Sequence, residues 1–190
     1  ILHIRLFFEN KRFARSSYAA LLNYAAVYAV TYMVSLYLQS IGQLNAAEAG
    51  MIMLFQPLIQ VVATPVAGKI SDKIDAKYLV TAGMILTIVG LLILSGLGLS
   101  MTNVAGYIMI TQVFIGLGAA LFSAPNTSTI MSSVAPAEYS MASSVVSVVR
   151  QVGMLISMAV CMAAISLFVG STDMLGPSMY EEFVEALRVS

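Results

Sequence analysis

Charge is what this sequence has least of. Its 190 residues hold nine lysines and arginines, nine acids and one histidine, so 9% of the chain is charged against 59% hydrophobic. That is too little polar surface to coat a water-soluble globule of this length, and a mean hydropathy of +0.92 places the chain in a bilayer. A net charge of zero supplies neither the basic footprint of a nucleic-acid binder nor an acidic tail. Cysteine is nearly absent: Cys161 has no partner for a disulfide within the chain, and no Cys/His cluster has metal-ligand spacing. No glycine-rich phosphate loop follows a strand, no Walker lysine occurs, and no Ser/His/Asp or paired-carboxylate arrangement is available. ATP-driven work within this chain and hydrolysis are therefore disfavoured, no cofactor is expected, and an ion gradient is left as the energy source for any transport.

What is present are long apolar runs. They are unbroken rather than alternating, which excludes a transmembrane β-barrel, and over such runs in lipid only a helix satisfies its own backbone. Residues 16–38 carry no charge and as a helix would extend about 35 Å, enough for a hydrocarbon core of roughly 30 Å. Residues 49–68 form the second predicted span, preceded by Glu48, whose acid suits a positive helix end. No charge occurs from Tyr78 to Ala137, far more than one crossing needs, so the run must fold back, with Gly96, Gly98, Ser100 and Asn103 as turn chemistry. The third and fourth spans are placed at 78–99 and 104–124, with Pro125 and Asn126 ending or bending the latter. A Ser/Thr-rich stretch then leads to Pro136, a good early-turn residue for a fifth span over 137–169. The expected fold is all-α, a polytopic integral membrane protein of five spans, with residues 1–15 a basic linker and 170–190 a segment leading to a further helix.

Basic residues orient this arrangement. Arg5, Lys11, Arg12, Arg15, Lys69, Lys73 and Lys77 all fall on one side, which the positive-inside rule makes cytoplasmic. The expected loops 39–47 and 100–103 carry no lysine or arginine, and the segment after Val169 is acidic. The predicted location is the plasma membrane, with the first residues inside and the last outside. His3 is expected to be juxtamembrane and solvated.

Three polar constellations stand out. The turn from Gly68 to Lys77 packs Lys69, Asp72, Lys73, Asp75 and Lys77 between two apolar runs. Asp72 at a helix end can accept hydrogen bonds from the free amides of another helix's N-terminus, and Gly68 would allow close helix approach. The alternative is a simple cationic anchor. Arg150 interrupts the fifth span, where an arginine costs at least about 2.5 kcal/mol and should face protein or water. It shares a helical face with Ser143, Ser147, Met154 and Ser157. It either faces a central cavity, binding an anionic group or tuning a proton-carrying acid elsewhere, or acts structurally by hydrogen-bonding helix ends and carbonyls. On the first span Tyr24, Tyr28, Thr31 and Ser35 lie on one face, suited to an amphiphilic ligand or to packing between helices. Gln56 and Gln60 on the second are one turn apart, beside Pro57 and Pro65, where a kink facing protein is expected. Gln112, Gly116, Ala120 and Ser123 form a small-residue face expected to pack rather than bind, and the methionines are expected to fill gaps in the core.

The turn Gly68-X-X-X-Asp72-Lys73-X-X-X-Lys77 resembles the signature loop of the major facilitator superfamily, which joins the second and third helices of each six-helix half. The family pattern usually has glycine where this chain has Asp75 and a basic residue where it has Ala76. Tyr37-Leu38-Gln39, Glu48-Ala49-Gly50, Gly116-Leu117-Gly118, Ala142-Ser143-Ser144 and Arg150-Gln151-Val152-Gly153 extend the likeness. Together these resemble the C-terminal half of the fourteen-span drug:proton antiporter branch, which contains multidrug efflux pumps. The resemblance implies five spans of a six-helix half-bundle and a missing sixth helix. It implies a partner N-terminal half that carries most of the proton-binding acids, with protons and a small-molecule substrate as the transported partners. It also implies a gating role for Gly68, Asp72, Lys73 and Lys77, in which Asp72 grips a helix of the opposite half in the outward-open state. Arg150, Tyr24, Tyr28, Thr31, Gln56 and Gln60 become the candidate substrate or ion pathway. The rival expectation is a non-transporting membrane module, a channel component or structural assembly subunit with facilitator-like helices.

Overall fold

The computed structural model describes residues 10–40, 42–96 and 104–168. The expected turn residues Gly98, Ser100 and Asn103, together with His3, Arg5 and the segment 170–190, lie outside these. The described chain is all helix: α1 Lys11–Ser40, α2 Ala46–Met53, α3 Phe55–Ser71, α4 Ala76–Ser95, α5 Val104–Ser132 and α6 Tyr139–Phe168, with a 3₁₀ turn at Pro136–Glu138. Counting α2 and α3 as one crossing, five segments are long and apolar enough to span a membrane. The chain is thus an all-α polytopic membrane protein. Its exposed residues include Leu58, Val61, Val62, Ile85, Ile88, Leu92 and Leu155, as befits a surface solvated by lipid.

Three helix boundaries differ from the sequence expectation. First, α1 begins at Lys11, so Lys11, Arg12 and Arg15 belong to a helix and not to a linker. Asn10 ends the chain's approach by accepting the amides of Arg12 and Phe13, each at 3.1 Å, while its own amide donates to the Ser133 carbonyl. Phe13 is buried against Ile130, Ala142, Val145 and Val146, so tertiary packing carries the helix past its charged turns. Second, the 49–68 crossing is broken at Leu54. Pro57 has no N–H to give the Met53 carbonyl, and the break falls beside that lost bond; the rings of Pro57 and Pro65 are exposed in this chain. Third, α5 does not stop at residue 124 but runs through Pro125 and Asn126 to Ser132. Pro125 is buried, the Asn126 side chain donates to the Ser16 carbonyl at 3.2 Å, and Thr129 Oγ1 donates to the Pro125 carbonyl at 2.8 Å. The kink-prone step is thereby held by a neighbouring helix, as a proline in lipid requires.

The remaining ends follow local chemistry. Asn45 and Glu48 form a reciprocal capping box on α2, with Asn45 Oδ1 accepting the Glu48 amide at 2.9 Å and Glu48 Oε2 accepting the Asn45 amide at 3.0 Å. Gly96 closes α4. Pro136 opens the turn into α6, where Glu138 Oε2 accepts the Ala135 amide at 3.3 Å.

Helix α5 is the hub. It packs against α3 and α4 along its length and also touches α1, α2 and α6, while α1 and α6 form their own close pair. Two glycines make this possible. A Cβ on Gly116 would lie 2.8 Å from the Gln56 carbonyl oxygen in α3, and one on Gly118 would lie 2.7 Å from the Gly83 carbonyl oxygen in α4. Two residues apart is roughly 200° around a helix, so the motif Gly116-Leu117-Gly118 opens two sides of α5 to two neighbours. Gln112 and Ala120 of the same small-residue face are buried, whereas Ser123 lines a cavity. One apolar cluster gathers Met33, Val34, Tyr37, Leu38, Ile52, Leu94, Ile108 and Cys161 near the α1–α2 and α4–α5 connections, and the Phe13 cluster closes the opposite end.

Candidate functional site

Helices α1, α3, α5 and α6 surround a cavity of about 170 Å³. From α1 come Asn23, Tyr24, Val27, Tyr28 and Thr31; from α3, Gln56 and Gln60; from α5, Ala119, Phe122 and Ser123; from α6, Met154. Five of the six residues singled out from sequence as a pathway therefore share one space. A second cavity of about 360 Å³ shares Tyr28 and Thr31 and adds Tyr32, Ser35, Met53 and Met158, so the polar face of α1 lines both. Three of the thirteen methionines, Met53, Met154 and Met158, stand at the walls of these cavities, Met53 also packing against the apolar cluster.

Arg150, the sixth residue, does not line either cavity but lies over Tyr24, which lines the first. A Cβ on Gly153 would fall 2.8 Å from the Leu21 carbonyl oxygen and 2.9 Å from Tyr24 Cβ, so α6 meets the α1 backbone there. One turn earlier, the Arg150 guanidinium carbon lies 5.1 Å from the centroid of the Tyr24 ring, within the range of a cation–π contact. Arg150 is about 17 Å along α6 from Tyr139, deep in the crossing. Among the described residues its partner is this ring and not a carbonyl or a carboxylate; the described acids, Glu48, Asp72, Asp75 and Glu138, all lie at helix ends. The serine stripe around it splits by role. Ser143 and Ser147 are exposed, with Ser147 Oγ donating to the Ser143 carbonyl at 3.0 Å. Ser157 is buried, and its Oγ accepts the Ala29 amide at 2.8 Å across the α1–α6 interface.

The turn between α3 and α4 is tight and ordered by its own backbone. The Asp72 amide donates to the Gly68 carbonyl at 3.2 Å, and those of Lys73 and Ile74 to the Ile70 carbonyl at 3.0 Å. Asp75 caps α4, accepting the Lys77 amide at 3.3 Å, and pairs with Lys77 Nζ at 3.0 Å. These hydrogen bonds from Lys77 hold the Asp75 carboxyl below its usual value. Lys77 also sits 4.8 Å from the Tyr78 ring centroid. Asp72 and Lys73 are exposed and border an open cleft of about 470 Å³ with Val66, Lys69, Ile70 and Ile74. Among the described residues no neighbour lies within 4 Å of where a Cβ on Gly68 would be, so it makes no close approach to another described helix of this chain. The close helix–helix approaches among the described residues belong to Gly83, Gly90, Gly116, Gly118 and Gly153.

Val27, Ala119 and Phe122 were not among the residues read as polar faces. Val27 is one turn from Tyr24 and Thr31, so the helical period could have found it. Ala119 and Phe122 carry no such signal, since only the placement of α5 against α3 brings them to the cavity.

The chain is thus a helical membrane bundle with a cavity between its spans, lined by both polar and apolar side chains, and a charged turn at one end. The profile of the Major Facilitator Superfamily matches residues 17–172, and the chain belongs to that family. It is similar to the riboflavin transporter RibZ of Clostridioides difficile (strain 630), with 31% identity over 144 residues, 75% of this chain. The chain spans about a third of that relative's length, the match covering 31% of it.

Proposed function

We propose that the chain is the greater part of the C-terminal half of a secondary active transporter that exports small amphiphilic molecules in exchange for protons. The observation that carries this is the cavity built from Tyr24, Tyr28, Thr31, Gln56 and Gln60 on two helices, closed by α5 and α6. Its hydroxyl, amide and aromatic groups suit ligands with an apolar ring and a few polar substituents. Its size also bears on the reading. Pockets that bind drug-sized ligands hold roughly 300–1,000 Å³, while this cavity holds about 170 Å³. The rest of the site is assigned to an N-terminal half facing it within the plasma membrane. Proton-binding acids belong mainly to that half, because the described acids of this chain stand at helix ends.

The basic residues Arg12, Arg15 and Lys77 meet at one end of the bundle around a cleft of about 590 Å³. Together with Lys69 and Lys73 they support a cytoplasmic orientation for that end. There Gly68, Asp72, Lys73 and Lys77 act as the gating turn, with exposed Asp72 gripping a helix of the other half. The named substrate of the similar RibZ makes a flavin a first compound to assay. The test is substrate flux in vesicles holding the full-length protein, with an imposed proton gradient and with an uncoupler. Gradient-dependent flux is expected; flux that an uncoupler leaves unchanged would overturn proton coupling.

A further inference from the structure

We propose that Arg150, laid against the ring of cavity-lining Tyr24, is an anion-reading group beside the cavity, so that the site takes amphiphiles bearing a carboxylate or similar acid beside an aromatic body. This rests on the cavity being the substrate path and narrows the class of substrate. Three observations lead to it.

The first is an unbalanced charge. A guanidinium at membrane depth costs at least about 2.5 kcal/mol, and a ring face returns roughly 0.5–2 kcal/mol. No described carboxylate lies near to supply the rest, since all four described acids are at helix ends. The second is geometry. The guanidinium carbon lies over the Tyr24 ring, 5.1 Å from its centroid, and Arg150 is exposed, while Tyr24 itself and Met154, one turn beyond Arg150, line the cavity. The contact leaves the N–H donors of Arg150 free of any described acceptor, and the guanidinium is a planar fork suited to a bidentate acid. Gly153 holds α6 at the distance that permits this. The third is the character of the other walls. Tyr28, Thr31, Gln56 and Gln60 bring neutral hydrogen-bonding groups, so a cationic ligand finds no counter-ion there, whereas an anion finds the single cation. An acid from a helix outside this chain is the competing occupant, and the experiment separates the two.

The test is equilibrium binding, by fluorescence polarisation, of a naphthalene-carboxylate fluorophore and its uncharged carboxamide to the full-length protein in nanodiscs of neutral lipid. The wild-type protein should prefer the carboxylate. Arg150→Gln should lower the carboxylate-to-carboxamide affinity ratio by about tenfold or more, and Arg150→Lys should give an intermediate ratio, keeping the charge without the fork. An unchanged ratio in Arg150→Gln, or a wild-type preference for the carboxamide, overturns the proposal; so does equal loss of both probes, the result expected if an acid of another helix already occupies the guanidinium. Should Arg150→Gln fail to fold, the wild-type preference and its weakening by salt decide the matter. Flux assays stand apart: Arg150-dependent binding without gradient-driven flux would sink the transporter reading alone, and flux with an unchanged ratio would sink this proposal alone.

Discussion

Gly83 of α4 and Gly118 of α5 meet backbone to backbone: a Cβ on either would lie 2.7 Å from the carbonyl oxygen of the other. Thr87 Oγ1 donates to the same Gly83 carbonyl at 3.0 Å, a bond within α4 that tucks the side chain against its own helix. Without a hydrophobic force between helices in lipid, such close backbone approach is what holds a pair together. Gly83→Ala should therefore destabilise the bundle by about 1–3 kcal/mol, read as a lower unfolding midpoint in detergent. Gly68→Ala, with open space around it, should leave that midpoint unchanged.

At the α1–α6 seam, Gly153→Val should push α6 from the Leu21 carbonyl and take Arg150 off the Tyr24 ring. Tyr24→Phe keeps a ring face and should cost little, while Tyr24→Leu should lose about 0.5–2 kcal/mol of stability. Denaturant unfolding of the two Tyr24 variants side by side checks this. Equal midpoints would mean that the ring contributes bulk alone.

Asp72 is exposed and its side chain makes none of the hydrogen bonds that order the turn. Asp72→Asn in the full-length protein should leave folding intact yet lower gradient-driven flux about fivefold or more if the carboxylate couples two halves. Unaltered flux would remove the latch and leave the turn as a cationic anchor.

The capping box on α2 makes a separable claim. Asn45→Ala removes the acceptor of the Glu48 amide and should cost about 1 kcal/mol. The loss should appear as faster amide exchange at Glu48, with no change at the α3–α4 turn.

Acid should spare the α4 cap over most of the working range. Hydrogen bonds from Lys77 depress the Asp75 carboxyl, so its contribution is complete above the unfolded value, near about 3.9. It is lost only as pH falls through the lower folded value. Amide exchange at Lys77 should show constant protection from pH 7 to 5 and a loss below that range, and Asp75→Asn should abolish the dependence. Both partners of the ion pair are more than half exposed, at 65% and 56%, so salt should weaken the pair.

The sequence by itself determined the solvent, the number of crossings and the place of the charged turn. A bilayer demands runs of apolar residues whose length it sets, and it expels charge to their ends, so both are written locally in the chain. The helical period likewise placed Tyr24, Tyr28 and Thr31 on one face and Gln56 and Gln60 on another. Tertiary structure alone decided where helices end and which faces meet. Charge marked the first span as starting at residue 16, but Phe13 is buried and Asn10 caps the helix; proline marked the fourth as ending near 124, but contacts to Ser16 and within α5 carry it to Ser132. No local pattern tells an open glycine such as Gly68 from one pressed on a neighbouring backbone such as Gly83. Nor does any pattern announce that Arg150 lies over Tyr24, because a contact between residues so far apart in sequence exists only once α1 and α6 have packed.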